Sequence, residues 1–323
     1  MRKFSLYRYQ IPLQSGLILR AQTQRFRTGL ICYLAEKHHE GWGEIAPLSG
    51  FSQESLAQAE NQALAWLTYW QNGKTQTLEA LFPSVAFGLS MALYELRHGL
   101  CEAKSVLTVP LCSDSSLKTI ERLKQQNITI AKLKVGRYSP EQDAKTVQQL
   151  LNAMPHLSLR LDANRAWDLN TASQFALRLS PAEKRQIVFI EEPCQTVEQS
   201  LQFAKNQQIA IAWDESLQLK EVQLQIQEGL AAIVIKPMLI GSREKCLAMI
   251  KQAHLLGLQA VLSSSIESSL GLSQLAHFAE QVTPQTAAGL DTLSLMQQQL
   301  IRAFPLSSLP LYGIESSFLQ KIA

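Results

Sequence analysis

Five short apolar runs decide the reading of this chain: ITIAKLK (Ile128–Lys134), LSLRLD (Leu157–Asp162), IVFIE (Ile187–Glu191), IAIAWD (Ile209–Asp214) and AAIVIK (Ala231–Lys236). Each ends on a charged residue. The charged positions, Lys134, Asp162, Glu191, Asp214 and Lys236, are separated by 28, 29, 23 and 22 residues. Such an interval holds one strand, one helix and two short loops, the length of a βα unit. In a parallel barrel the five side chains would gather at the C-terminal ends of the strands, where barrel enzymes keep their chemistry.

The pattern continues on both sides. VLTVPL precedes these runs, and QAVLSSS and TAAGLDT follow them, so eight strands are expected from about residue 104. Helical periodicity fills most intervals, as in SLKTIERLKQQ, in Val197–Asn206, and in SREKCLAMIKQAHLLGL, where Cys246, Met249, Ile250 and Leu256 form part of an apolar stripe. A doubly wound open sheet fits the alternation too, but no glycine-rich phosphate loop follows any strand. The first hundred residues read differently. FSLYRYQI, LILRAQTQ and LICYLAE are strand-like, broken by Gly16, Gly29 and an expected Gly41-Trp42-Gly43 turn. A polar loop, Ser49–Ser52, leads to a helix from about Gln53 to Trp70, and Pro83 opens a second helix running to about His98. This is an α+β module. The stretch Phe304–Ala323 has no strong pattern and is expected to pack back on that module.

Composition narrows the function. Of 323 residues, 46% are hydrophobic and 18% charged, as in a globular protein with a sizeable core. The net charge of +3, from 30 basic and 27 acidic residues, is too weak to argue for nucleic acid or an anionic membrane. VAFGLSMALYEL (Val85–Leu96) is too short to span a bilayer and contains Glu95. The five cysteines are scattered without a CxxC pair, which points to reduced thiols in the cytoplasm rather than a zinc site or a disulfide frame. Cys194 is read as structural.

The strand ends carry the chemistry. Three carboxylates on successive strands, Asp162, Glu191 and Asp214, could hold magnesium, which prefers oxygen ligands and leaves positions open for water or substrate. Asp162 and Asp214 could equally cap the helices that follow. Glu191-Glu192-Pro193 is harder to read that way, because two adjacent acids repel unless a cation is near. Lys132 and Lys134 are two apart and share a strand face. Facing inward, each would lower the other's pKa and ready an amine to take a proton from carbon. Facing outward, they would snorkel between helices. Lys236 could be reactive or simply reach solvent. In SSSIESSLGL, backbone amides and hydroxyls of Ser263–Ser265 could receive a carboxylate, helped by the next helix N-terminus, while Ser268 or Ser269 is expected to cap that helix. Gly289 would allow close approach of substrate.

Taken together, KLK, LDANRAW, FIEEP, WDES and VIKP, in this order and spacing, resemble the enolase superfamily, in the muconate-lactonizing-enzyme-like branch with a KxK motif. GWGEIAPLSGFSQES, PSVAFG, EEPC, AWDESL, SSSIESSLGL and GLDTL extend the likeness over nearly the whole chain to the o-succinylbenzoate synthase family. The resemblance implies a (β/α)7β modified TIM barrel at residues 104–301 and an α+β capping domain made by residues 1–103 and the tail 302–323. It implies magnesium, with manganese as a substitute, on Asp162, Glu191 and Asp214. It also implies the dehydration of a hydroxylated, succinylated cyclohexadiene carboxylate to o-succinylbenzoate, a menaquinone precursor. Lys134 would act as base and then acid, and Lys236 would stabilise the anion. Lys132, Arg160, Asn164, Ser263, Ser264, Ser265 and Gly289 would contact substrate, with Gly50, Phe51 and Ser52 closing over it. The partner expected is a small carboxylate, with a monomer as the working oligomeric state, no nucleic acid and no membrane. Two alternatives stay open at this point: an N-acylamino acid racemase or dipeptide epimerase using the same lysines, and a barrel-shaped binding protein with a dead site.

Overall fold

The computed structural model describes residues 1–14, 18–19, 22–74, 76–101, 107–112, 114–219, 222–305 and 307–323. The chain forms two compact units. One comprises Met1–Leu107, Ile235–Ile250 and Leu262–Ala323, and the other Thr108–Val234 and Lys251–Val261. The expected boundary at residues 103–104 lies outside the described residues.

In the first unit, strand β1 (Arg2–Pro12) leads to a small hairpin of β2 (Ile18–Leu19) and β3 (Gln22–Thr23). Of the LILRAQTQ run, Leu17, Arg20 and Ala21 lie outside the described residues, as does Gly16. Strand β4 (Phe26–Glu36) pairs antiparallel with both β1 and β5 (His39–Ile45). The expected Gly41-Trp42-Gly43 turn is therefore strand. The chain reverses earlier, at Lys37, whose φ is +58°. Packing explains the glycines. A Cβ on Gly41 would stand 2.1 Å from the Ala92 carbonyl oxygen, and one on Gly43 would stand 1.9 Å from that of Gly88. Helix α1 (Leu56–Gln71) begins with a capping box between Ser55 and Gln58, and α2 (Pro83–His98) begins at its proline as expected. Both helices bury an apolar face in a core that includes Leu6, Leu34, Ile45, Trp66 and Leu89.

The second unit is built on a parallel sheet. Strands β6 (Leu111–Cys112), β7 (Ile130–Lys134), β8 (Ser158–Asp162), β9 (Ile187–Glu191), β10 (Ile211–Trp213) and β11 (Leu230–Ile235) pair in sequence order, all parallel, and β12 (Gln259–Leu262) follows β11 in the sheet. Helices α3 (Leu117–Gln125), α4 (Pro140–Ala153), α5 (Leu169–Leu177), α6 (Pro181–Arg185) and α7 (Val197–Gln207) return the chain between strands. Among the described residues no α-helix lies between β10 and β11. The first expected strand is cut short because Pro110, in VLTVPL, has no N–H to give a ladder; Val106 lies outside the described residues.

The rest of the first unit contains α8 (Pro237–Ile240), α9 (Arg243–Leu255), whose last turns enter the second unit, and α10 (Ser269–Val282). The expected strand TAAGLDT reduces to an isolated parallel bridge between Ser263 and Gly289. There the Gly289 N–H donates to the Leu262 carbonyl and the Ala288 N–H to that of Leu107, each at 2.8 Å. The C-terminal strand Leu319–Lys321 pairs with β1, so the tail does return to the N-terminal sheet. The architecture is the enolase-type combination of a curled parallel barrel sheet with an α+β capping domain. No helix among the described residues is long and apolar enough to cross a membrane.

The start of α10 departs from expectation. Ser268 stands at the N-cap position, yet neither it nor Ser269 caps with its side chain. The carboxylate of Glu44, at the end of β5 and fully buried, does so instead. It accepts from the Ser268 N–H at 2.9 Å, the Gly271 N–H at 2.9 Å and the Ser268 hydroxyl at 2.6 Å, and from the Tyr9 hydroxyl at 2.6 Å. A full negative charge satisfies the free helix amides better than a hydroxyl does. The helix N-terminus is thus taken and does not serve a substrate carboxylate. Beside it, Glu267 is also fully buried, with one oxygen receiving the Ser265 N–H at 2.6 Å. Burial pushes the Glu267 carboxyl up to about 7; the charge of Glu44 adds to the rise and Arg27 opposes it.

A carboxyl raised in this way holds its proton in the folded protein after the unfolded chain has lost it. Its contribution to stability is therefore largest below the ordinary carboxyl range and falls as pH rises from about 4.5 to about 7. Glu267→Gln should flatten that fall. Thermal unfolding of both proteins at pH 5 and pH 7.5 measures it; equal slopes would show that Glu267 ionises without cost.

Candidate active site

Strand β7 alternates. Ala131 and Leu133 are buried on one face, and Lys132 and Lys134 share the other. Parallel register carries that face to the neighbouring strands. Lys134 is opposite Asp162, Asp162 is opposite Glu191, and Glu191 is opposite Ala212, two residues before Asp214. The lysine face therefore meets carboxylates. The Lys132 ammonium stands 2.8 Å from Asp162 Oδ2 and 2.5 Å from Glu191 Oε2, and the Lys134 ammonium 2.5 Å from the same Asp162 oxygen. The other oxygen of Asp162 accepts from the backbone N–H and the side-chain amide of Asn164, at 3.1 and 2.9 Å. Arg160 lies over the ring of Phe189, its guanidinium carbon 5.3 Å from the centroid. Asp162, Glu191 and Asp214 are all nearly inaccessible. The structure thus gathers Lys132, Lys134, Asp162, Asn164 and Glu191 by direct hydrogen bonds, with Arg160 and Asp214 close enough to act on Glu191 by charge.

The electrostatics correct one expectation. Lys132 is not lowered towards neutrality: burial favours the amine, but the charges of Asp162 and then Glu191 outweigh it and hold the ammonium well above the ordinary lysine range. Glu191 is pushed up to about 7, first by burial; Lys132 opposes this, while Asp162 and Asp214 add to it. Asp162 takes part in both directions: its charge favours the ammonium of Lys132 and disfavours the carboxylate of Glu191.

The closeness of these acids bears on the metal. Among the described residues no three acid, histidine or cysteine side chains already stand as a metal-binding group. Instead the Lys132 ammonium sits between Asp162 and Glu191 as a cation would. The donors are all hard carboxylate oxygens on adjacent strand ends. This donor set fits a divalent ion such as magnesium.

Two supports were not legible in the sequence. Glu192 does not crowd Glu191. With φ +41° it turns away, and its carboxylate accepts from Arg165 Nε at 3.0 Å, the Ser216 hydroxyl at 2.9 Å, and the Asp214 and Ser216 backbone N–H groups at 2.9 and 2.8 Å. Glu192 thus ties the Glu191 strand end to the Asp214 strand end. The EEP motif signalled an acid pair, but nothing local named Arg165 as the cation. Cys194, next to this motif, is buried, and burial pushes its thiol up to about 12, so it is a packing residue.

The remaining expected residues belong to the other unit. Lys236 follows β11 and starts α8, its carbonyl accepting from the Leu239 and Ile240 N–H groups. Ser263 donates its hydroxyl to the Gly289 carbonyl at 3.2 Å, and a Cβ on Gly289 would stand 2.8 Å from that hydroxyl. Ser264 shares a hydroxyl hydrogen bond with Thr292 at 2.8 Å. The segment Leu48–Ser52 is a tight turn: the Phe51 and Ser52 N–H groups reach the Leu48 carbonyl, and Gly50 has φ +82°. Gly50, Ser52 and Ile266 line one cavity of about 420 Å³, which brings the turn and the serine segment together.

The sequence matches the family model MenC, N-terminal domain, over residues 1–96, and the model Enolase C-terminal domain-like over residues 116–304. It is 48% identical to the o-succinylbenzoate synthase of Pasteurella multocida, over 100% of this chain and 98% of the relative. It is 47% identical to that of Haemophilus influenzae, over 99% of each. Among solved structures, o-succinylbenzoate synthase from Thermosynechococcus elongatus, complexed with magnesium in its active site, matches with a TM-score of 0.74 and 26% identity over 95% of this chain and 96% of that one. The L-Ala-D/L-Glu epimerase from Bacillus subtilis has a TM-score of 0.72 at 20% identity, over 92% and 91%, which is a likeness of fold. The chain belongs to the o-succinylbenzoate synthase family of the enolase superfamily.

Proposed function

We propose that this protein is an o-succinylbenzoate synthase, a hydro-lyase that removes water from 2-succinyl-6-hydroxy-2,4-cyclohexadiene-1-carboxylate in menaquinone biosynthesis. The observation that carries the reading is the lysine pair of β7 bound to the carboxylates of β8 and β9. An amine is thereby held at a strand end beside a cluster of buried carboxylates. Lys134, in its neutral form, takes the proton alpha to the substrate carboxylate. The C–H electron pair is first delocalised into the substrate carboxylate, giving an anion, and then forms the new ring double bond as the C–O bond breaks. Lys134 then returns its proton to the departing hydroxyl on the same face, giving water and the aromatic product. Lys132 stays charged, steadies Asp162 and Glu191, and contacts the substrate carboxylate. Lys236 supplies a further fixed positive charge for the anion through the ring face.

Asp162, Glu191 and Asp214 would hold magnesium, with manganese as a substitute; when bound, the ion stabilises negative charge developing on the substrate carboxylate. Asn164 fixes the orientation of Asp162. Arg160, the Ser263–Ser265 segment and Gly289 orient the substrate, and Gly50, Phe51 and Ser52 exclude water from it. We assign residues 104–301 to the catalytic barrel and 1–103 with 302–323 to the cap. We infer a monomer acting on a small carboxylate. Five buried free thiols support a cytoplasmic location.

The direct test is a spectrophotometric assay with the cyclohexadiene substrate, run beside polarimetry with N-succinyl amino acids. Turnover in the first is expected; activity confined to the second would make the protein a racemase. Lys134→Ala should keep the fold and lose roughly two to four orders of magnitude in kcat, the usual worth of acid–base catalysis. A near-normal rate would remove Lys134 from the mechanism. Chelation with EDTA should abolish turnover, and magnesium or manganese should restore it; full activity in metal-free protein would overturn the three-carboxylate assignment.

A further inference from the structure

Arg27, on β4, has no place in the chemistry above, yet it is 4% exposed and fully engaged. A guanidinium has five N–H donors in a fixed plane. Here Nε donates to the Ile266 carbonyl at 2.7 Å. Nη1 donates to those of Thr28 and Pro47, both at 2.9 Å, and Nη2 to those of Ala46 at 2.6 Å and Ser265 at 3.4 Å. Five donors meet five backbone carbonyls, so no N–H is left to read a ligand. The carbonyls come from two segments far apart in sequence. Ser265 and Ile266 end the serine segment; Ala46 and Pro47 lead into the Leu48–Ser52 turn. Ile266 has φ +63°, a left-handed conformation that a β-branched side chain resists. It is held there by the shortest of the Arg27 bonds to the serine segment. Arg27, Pro47, Leu48, Gly50, Ser52 and Ile266 then line the same 420 Å³ cavity.

We propose that Arg27 is a positioning residue for substrate recognition. Its guanidinium fastens the strained Ser265–Ile266 turn to Ala46–Pro47, so that the serine segment and the Leu48–Ser52 turn act as one recognition surface. This rests on the synthase reading given above. Lysine cannot replace it, because one ammonium offers three donors from a single point. Separated, the two segments would still fold locally but would present their groups out of register, so that contacts made equally to substrate and transition state are lost.

The test is steady-state kinetics of wild type, Arg27→Lys and Arg27→Gln with the cyclohexadiene substrate, alongside circular dichroism and thermal unfolding. KM is expected to rise about ten- to a hundredfold in either folded variant, with kcat changed by less than about threefold, because uniform binding is lost while the proton-transfer residues are untouched. An unchanged KM, or a fall in kcat and Tm with KM intact, would overturn the proposal and leave Arg27 a structural residue. So would failure of both variants to fold. Absence of turnover in the wild type would instead overturn the synthase reading itself, and is distinguished by occurring before any substitution is made.

Discussion

A lysine ammonium lodged between two carboxylates, Lys132 between Asp162 and Glu191, is the interaction on which the arrangement of the second unit turns. Burying three charges is costly unless each is paired. The pairing here is set by strand register, not by flexible side chains finding one another. Asp162 lies opposite Glu191 on adjacent parallel strands, and Lys132 projects from the next strand on the same face. Adjacent strands are about 4.8 Å apart, close enough for one ammonium to span two acids. Removing one member of such a set leaves a buried uncompensated charge, worth about 3–5 kcal/mol in comparable cases. The register of β7, β8 and β9 and the charge pattern at their ends therefore fix each other.

The same set keeps its acids close together. Glu191 is raised to about 7, first by burial; Lys132 opposes the rise, while Asp162 and Asp214 add to it. A site made only to stabilise the fold would gain by replacing one acid with an apolar residue. This one keeps its third acid buried beside the other two. That closeness gives the proposed metal assignment its physical basis, since a hard divalent ion takes several carboxylate oxygens at once.

How much of this could be read from the sequence depended on distance along the chain. Strands β7, β8 and β9 end on Lys134, Asp162 and Glu191, where the apolar runs ended, because hydrophobic pattern and strand boundary are both local properties. Asp214 and Lys236 fall one residue beyond their strands. What was misread or missed has remote partners. Gly41 and Gly43 look like a turn from their neighbours, yet they are strand residues made small by a helix fifty residues later. Ser268 looks like a cap, yet a carboxylate 224 positions away has taken the helix end. Arg27 carries no local signal at all, since its five acceptors are backbone carbonyls that any sequence would supply. The pKa argument failed at Lys132 for a related reason. Spacing revealed that Lys132 and Lys134 share a face, but not that acids on two other strands hold the Lys132 ammonium charged.

Glu191 and Glu192 show most clearly that residue type alone does not set a role. They are adjacent, nearly equally buried and chemically identical. Alternation along a strand sends them to different surroundings. Glu191 faces other acids, and its carboxyl is raised to about 7. Glu192 enters a turn with φ +41° and finds Arg165, the Ser216 hydroxyl and two backbone amides, so its negative charge is fully met. The second glutamate secures the Asp214 strand end against the Glu191 strand end and so keeps the first glutamate beside the acids that perturb it. The raised carboxyl of Glu191 therefore depends on its neighbour as well as on its own burial: Glu192, satisfied, prevents the strand ends from moving apart to relieve the repulsion that adds to it.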